Sequence, residues 1–223
     1  KLLMTLPGVS RHTAQSLLAA IGDITRFRDA DALASYLGLV PSTRQSASHC
    51  YHGPITKQGR CDTRRMLVQS AHAVRAHPGP LGHFFRRLRK RKPRNVAVVA
   101  VAHKLVLLAW HLLTRREPYR YALPQATENK LRKLRVQATG EKRRTGSAPG
   151  TKKSPARLPG PSHRIKPLPE VYASEQVPAA RPAPAGELRH LAELKLNDFI
   201  DGLQQAHVVP VHRPQKEAAR ESK

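Results

Sequence analysis

The stretch PSTRQSASHCYHGPITKQGRCDTRRML, residues 41–67, decides how the rest of the chain is interpreted. Its first half is rich in hydroxyl side chains and shows neither a helical nor a strand period, which predicts an exposed loop. A Gly53-Pro54 turn is expected next, followed by the basic start of a helix. Small hydroxyls followed by cations suit chemistry on a phosphate group, although most loops of this composition are only solvated turns.

The cations and the amide of this stretch are candidates for contacting a phosphate. Arg64 and Arg65 are one step apart on the predicted helix, so they diverge by about 100° and need not serve the same contact. The candidates are Arg44, Gln45, Lys57, Arg60, Arg64 and Arg65.

The charge of the chain points to a polyanionic partner. The 223 residues include 40 Lys and Arg against 15 Asp and Glu, a formal net charge of +25. Nucleic acid is the first candidate, because Lys and Arg release condensed counterions when they contact phosphates. An anionic membrane surface is the second. A solvated basic surface without a partner is the remaining alternative.

The two halves of the chain differ in composition, which predicts one helical domain and a long tail. Residues 1–123 hold enough apolar residues for a core, whereas residues 124–223 contain 12 of the 19 prolines. We expect a domain over residues 1–123 and a disordered basic linker over 124–186 with a short helix near 129–136. An isolated amphipathic helix over 187–206 and a disordered tail over 207–223 would complete the chain.

The N-terminal residues predict a turn followed by a capped helix. Pro7-Gly8 forms the turn, Ser10 is suited to the N-cap, and Leu17, Leu18 and Ile21 would form the apolar face. This arrangement is typical of half of a helix-hairpin-helix, in which the glycine turn lets backbone N–H groups approach a phosphate. Gly8 is therefore a candidate for binding nucleic acid, and a purely structural helix is the alternative.

Further helices are expected over residues 29–37, 62–76 and 95–114. The last one approaches the length that spans a membrane. His103 and Lys104 lie in its middle, and a central lysine costs about 2.5–3.5 kcal/mol on insertion scales. A buried core helix is therefore the preferred interpretation, and no membrane partner is predicted.

A dense basic run lies between the second and third of these segments. Seven of the nine residues from 86 to 94 are Lys or Arg. Such a run contacts a nucleic-acid backbone or forms a solvated helix face, and the total charge favours the backbone, without base specificity. The candidates are Arg86, Arg87, Arg89, Lys90, Arg91 and Lys92.

No metal site or cofactor is predicted in this chain. His49, Cys50 and His52 provide suitable ligand types, but Cys61 stands alone where a zinc site prefers a second ligand pair. Two cysteines make no disulfide framework, and no secretory signal is visible, so a reducing cytoplasmic setting is expected. The chain opens on Lys1 within an apolar run, which we interpret as a fragment that lacks its N-terminal part.

The order of the motifs resembles a known family. LPGV, a helix, IGD and RF are followed by SYLGLVP, RQS, GPITKQG and RRML, and then by HPGPLGHFFRRLRKRK and VAVAHKLVLLAWHLL. Over residues 2–122 this order is similar to the C-terminal transposase domain of the bridge-RNA-guided insertion-sequence transposases. That family joins an N-terminal RuvC-like domain, which bears a DEDD carboxylate set, to a smaller serine-bearing domain.

The resemblance implies a function in DNA strand cleavage and rejoining. The family's nucleophile is the serine five residues after the GLVP proline, which is Ser46 here, and it would form a covalent phosphoserine with DNA. Magnesium is expected only in the RuvC-like domain. The implied partners are DNA, a guide RNA and further copies of the protein, in the bacterial cytoplasm near the nucleoid.

Three departures from the family bear on activity. Ala47 stands where the family usually has glycine after the serine, and Thr63 stands where a leucine is common. The RuvC-like half is absent, so we expect this chain alone not to recombine DNA. Two alternatives stay open: a non-catalytic helix-hairpin-helix module that binds nucleic acid, and an inactive truncated remnant of a transposase.

Overall fold

A computed structural model describes residues 1–46, 49–140 and 163–209. This part of the chain is mostly helical, which confirms the predicted fold class. Short 3-10 turns at Leu2–Thr5 and Ile24–Arg26 flank the first helix. The helices are α1 (Arg11–Ile21), α2 (Ala30–Tyr36), α3 (Cys61–Val74), α4 (Pro80–Arg89), α5 (Arg94–Arg115), α6 (Pro124–Thr139), α7 (Leu168–Ser174), α8 (Ala185–Glu193) and α9 (Asn197–Gln204). The strands are β1 (Pro41–Ser46), β2 (His49–Ile55), β3 (His163–Ile165) and β4 (His207–Val209).

Helix caps follow the sequence signals. Ser10 accepts a hydrogen bond from the Thr13 backbone N–H at 3.2 Å and so caps α1. Asp29 does the same for α2 through the Ala32 N–H at 2.7 Å. Leu17 and Ile21 are buried as predicted, whereas Leu18 is 46% exposed because it lies on the outer side of the helix.

Helix α5 forms the centre of the core. It packs against α2, α3 and α4, and the indole N–H of Trp110 donates to the Phe27 carbonyl at 3.3 Å. Among the described residues it is the one helix long and apolar enough to cross a membrane. Its buried side chains lie within the hydrophobic core, as expected, and they are Ala97, Val98, Val101, Ala102, Leu105, Val106, Ala109 and Leu112.

The segment predicted as a loop is an antiparallel hairpin of β1 and β2, so the absence of a strand period was misleading. A two-stranded ribbon with polar side chains on both faces shows no apolar alternation, and the period test therefore fails. The predicted Gly53-Pro54 turn is also wrong, because both residues lie inside β2. Proline is tolerated there because each strand of a two-stranded sheet has an unpaired edge.

The structure has α6 and α7 where disorder was expected beyond residue 123, and the short helix expected near 129–136 lies within α6. Residues 141–162 lie outside the described part. Tyr172 on α7 is 2% exposed, and its hydroxyl donates to the Tyr119 carbonyl at 2.6 Å. Composition failed because a few well-placed apolar side chains are buried against the first domain. The boundary at residue 123 stays a prediction.

The expected single helix over 187–206 is divided in two. The chain turns at Lys195, which has a positive φ of 55°, and α9 begins two residues later. Leu191, Leu196 and Leu203 are buried in the same core cluster as α5, so the two helices are not isolated. The predicted tail after residue 209 lies outside the described residues.

Candidate functional site

The hairpin places Ser46 at its far end. Ser46 is the last residue of β1, it is exposed, and it pairs across the ladder with His49. Arg44 pairs with Tyr51. Directly opposed residues of an antiparallel pair share a face, with Cβ atoms about 4.5–5.5 Å apart.

The register divides the candidate residues between two faces. Side chains alternate along a strand, so Arg44, Ser46, His49 and Tyr51 lie on one face. Gln45 pairs with Cys50 on the opposite face. The structure therefore brings Arg44 to the side of Ser46 and separates Gln45 from it.

The base of the hairpin is fastened to α2 by close backbone packing. The Thr56 N–H donates to the Val40 carbonyl at 3.0 Å, which joins the two ends of the hairpin, and the Lys57 N–H donates to the carbonyl of Gly38, just after α2, at 3.2 Å. Gly59 has a φ of 77°, and a Cβ there would collide with the Tyr36 carbonyl oxygen. This close approach requires glycine, and it fixes where the exposed end of the hairpin projects.

Arg64 holds the same base from α3. Its Nη1 donates to the carbonyls of Leu37 and Gln58, each at 3.0 Å. Half-buried Arg64 is thus engaged within the chain, unlike its exposed neighbour Arg65. Lys57 and Arg60, between the hairpin and α3, are also exposed.

Gly8 lies in the turn before α1 and packs against α3. Its φ is 77°, and a Cβ would collide with the Ser70 carbonyl oxygen, so glycine is needed here for packing. Gly8, Ser10 and Arg65 share the wall of a small open cavity of about 290 Å³. The structure therefore brings Arg65 to the turn rather than to the tip of the hairpin, and a phosphate contact at Gly8 stays a prediction.

The basic run occupies α4 and the turn after it. Arg86 donates to the His77 carbonyl at 3.1 Å, and Arg89 donates to the Lys92 carbonyl at 3.2 Å. The Arg87 guanidinium lies 5.8 Å from the centre of the Phe84 ring. All the basic side chains of the run are exposed, namely Arg86, Arg87, Arg89, Lys90, Arg91, Lys92 and Arg94.

His49 is the neighbour of Ser46 that sequence reasoning missed. From the sequence alone, His49 is a candidate only for binding a metal. The strand register was the missing signal, because it alone shows that residues 46 and 49 face each other. Within the described ranges, no three His, Cys, Asp or Glu side chains are gathered in a way that could hold a metal ion.

Known proteins similar to this chain include transposases and a pilin gene-inverting protein. The transposase for insertion sequence element IS1111A of Coxiella burnetii is 34% identical over 122 residues, which cover 53% of this chain and 34% of that protein. A probable family 20 transposase of Pseudomonas aeruginosa is 31% identical over 122 residues, 53% of this chain and 36% of its own length. The pilin gene-inverting protein of Moraxella bovis is 31% identical over 121 residues, 53% of this chain and 38% of its own.

The match covers only part of this chain and only part of each relative. The chain spans about a third of the length of the curated relatives it matches, with shares of 34% and 36% for the first two. The profile of one family covers α1, α2, the hairpin, α3 and most of α4. Residues 1–86 match the Transposase IS116/IS110/IS902 family.

Proposed function

We propose that this chain supplies the serine-bearing part of a transposase, with Ser46 as the nucleophile that attacks a DNA phosphodiester. The observation that carries the proposal is the exposed position of Ser46 at the end of the hairpin, within the residues that match the transposase family. An exposed hydroxyl on a projecting ribbon can reach the phosphorus of a duplex, which a serine packed in the core could not.

The proposed reaction conserves the energy of the phosphodiester bond. Ser46 Oγ forms a bond to phosphorus, the bond from phosphorus to one deoxyribose oxygen breaks, and that oxygen leaves as a hydroxyl. The hydroxyl of another strand then attacks the phosphoserine and releases Ser46. His49, which pairs with Ser46 across the ladder, would accept the proton of Ser46.

The cations of the chain would hold the DNA during this exchange. Arg44 shares the face of Ser46 and is suited to steady the charge on the phosphate. Lys57 and Arg60 flank the base of the hairpin. The exposed basic side chains of α4 and of the turn after it would contact the DNA backbone without reading bases.

The remaining partners are proposed from the resemblance. A RuvC-like domain would supply a metal-bound carboxylate set, a guide RNA would select the target by base pairing, and several copies would assemble on the DNA. Metal-bound carboxylates there would assist the exchange, while the residues of this chain bind and orient the phosphate. The protein would then work in the bacterial cytoplasm, at the nucleoid.

The test joins this chain to an intact RuvC-like domain and measures the covalent protein–DNA adduct on element-end DNA. We expect Ser46→Ala to abolish the adduct and strand exchange while DNA binding persists. Ser42→Ala, on the same strand, is the matched control and should keep the adduct. Unchanged strand exchange by Ser46→Ala would remove this residue from the mechanism.

The alternative is a module that binds nucleic acid without cutting it, and the exposed basic turn and α4 favour it. In that case affinity should fall with salt, and it should fall further when Arg87 and Lys90 are neutralised. No adduct should form under any condition, with or without the restored domain. The two proposals are therefore separated by the adduct alone.

A further inference from the structure

Tyr51 is the tyrosine of this chain whose ring is largely exposed. The chain has five tyrosines. Tyr119, Tyr121 and Tyr172 are buried and Tyr36 is half-buried, whereas Tyr51 is 68% exposed in the middle of β2. An aromatic ring left in water contributes little to folding, and both its apolar faces and its hydroxyl are available to a ligand.

The Tyr51 ring has no aromatic or cationic partner within the described residues, although Arg44 stands directly opposite on β1. Its Cε1 lies 3.8 Å from the point where a Cβ would stand at Gly53, so the ring leans over a residue that has no side chain to cover it. Arg44 is also exposed, and it takes part in none of the ion pairs found among the described residues. The ring and the guanidinium are therefore both free to contact a ligand.

Tyr51 lies on the same face of the hairpin as the proposed nucleophile. It pairs with Arg44, and His49, two residues earlier on β2, pairs with Ser46. A strand rises about 3.4 Å per residue, so Tyr51 is about 7 Å from His49 along β2. Each nucleotide of a stacked DNA strand also rises about 3.4 Å, so the ring lies within about two nucleotides of a phosphate held at Ser46.

The pairing state of the DNA decides whether such a ring can stack on a base. In an intact duplex both faces of a base are covered by its neighbours, so a protein ring can stack only on a base that has left the helix or lost a neighbour. Strand exchange opens the duplex beside the broken phosphodiester, because the released strand must join a different strand. A cation for the backbone and an aromatic ring for the base are the two features that single-stranded DNA requires of a binding surface.

We propose that this face of the hairpin binds an unpaired nucleotide of DNA, with its base stacked on Tyr51 and its phosphate beside Arg44. The inference rests on the proposed function for the identity of the ligand, and it adds that the strand is open next to the phosphodiester that Ser46 attacks. Stacking tolerates any base, so Tyr51 holds the open strand in place without selecting its sequence. Binding of the nucleotide does not require Ser46 to react.

The test measures the affinity of the full chain, by fluorescence anisotropy at fixed salt, for a DNA duplex and for the same duplex with a central mismatched bubble. Tyr51→Leu should weaken binding to the bubble about 5- to 150-fold, the loss of one stacked base, and binding to the duplex less than about twofold. Tyr51→Phe retains the ring and should retain the affinity. Leu188→Ala, at a position that is 45% exposed on α8, is the control for removing exposed apolar surface and should bind as the unaltered chain does.

An abasic nucleotide moved through the bubble identifies the base that stacks. In the unaltered chain, affinity should fall when the abasic nucleotide occupies that position, because the phosphate remains while the base is lost. In Tyr51→Leu the same replacement should have no further effect, since both changes remove one contact. If the two losses multiply at every position, Tyr51 and the bases act independently and the proposal is overturned.

Two further results would contradict the stacking of a DNA base. Equal losses for duplex and bubble in Tyr51→Leu would show that Tyr51 contacts a groove, and a loss of affinity for single-stranded RNA alone would assign the ring to RNA. These measurements follow binding, so they are independent of the covalent adduct. Failure of the Ser46→Ala test would contradict the proposed function and leave a positive result at Tyr51 standing, whereas unchanged bubble binding by Tyr51→Leu would contradict only the contact at Tyr51.

Discussion

The hairpin of β1 and β2 and the helix α5 differ in how far their side chains are buried. In the hairpin, Arg44, Ser46, His49 and Tyr51 are exposed, and the ribbon is held through its base. In α5, one whole face is buried against three other helices. The difference teaches that the candidate chemistry lies on a part whose side chains contribute little to folding, and that stability resides elsewhere.

The largest expected effect is on the core side of this comparison. Leu105 on α5 is 0% exposed, and Leu105→Ala should lower the free energy of unfolding by about 2–5 kcal/mol through lost burial and a cavity. Ser46→Ala should change it by less than about 0.5 kcal/mol. Urea denaturation followed by circular dichroism measures both. Similar losses in the two variants would break the proposed division between chemistry and stability.

An acid titration should find a second large effect in the helical part. The folded-state pKa of His77 is lowered to about 4 from its ordinary value of 6.5, so the unfolded chain binds more protons between these values. Stability should therefore fall as the pH decreases from about 6.5 to 4, with His77 contributing about 2–3 kcal/mol.

His77→Phe removes that contribution, because the variant has no group to protonate there. Its unfolding free energy should consequently depend less steeply on pH over this interval. His12→Phe, at an exposed position on α1, is the control and should keep the slope of the unaltered chain. A slope that is the same in both variants would show that His77 does not titrate as the structure indicates.

Tyr172 and Tyr51 test the same comparison between core and hairpin with a smaller expected effect. The buried hydroxyl of Tyr172 donates to the Tyr119 carbonyl, so Tyr172→Phe should cost about 1–2 kcal/mol by leaving that carbonyl without a donor. Tyr51 is 68% exposed in the hairpin, and Tyr51→Phe should be close to neutral. Thermal unfolding of the two variants measures the difference between their losses of unfolding free energy. Equal losses would contradict the packing of residues 163–186 on the first domain.

The smallest effect on stability, and a measurable one on binding, is expected in the hairpin. Arg44→Gln should leave the unfolding free energy within about 0.5 kcal/mol of the unaltered chain. The slope of DNA affinity against salt concentration should decrease by the amount expected for the loss of about one phosphate contact. Arg75→Gln, at the exposed end of α3, serves as the control for charge. Identical salt slopes for the two variants would argue against a phosphate contact at Arg44.

The sequence by itself determined four of the five helices within residues 1–123, all except α4, and the exposure of Ser46. Apolar spacing identified α1, α2, α3 and α5 to within a few residues, because an amphipathic helix repeats its pattern locally. Ser10 was readable as the cap of α1 for the same reason, whereas the cap at Asp29 was not predicted. Net charge predicted a basic surface, and the order of motifs pointed to the family whose profile residues 1–86 match.

Only the tertiary structure decided which residues meet. Strand register placed His49 opposite Ser46 and put Gln45 on the other face, although the sequence shows no alternation there. Contacts between distant segments made Lys130 a half-buried neighbour of the N-terminal turn and ordered α7 despite its proline-rich surroundings. Such pairings depend on how the chain closes over long sequence separations, and no local pattern of residues encodes that.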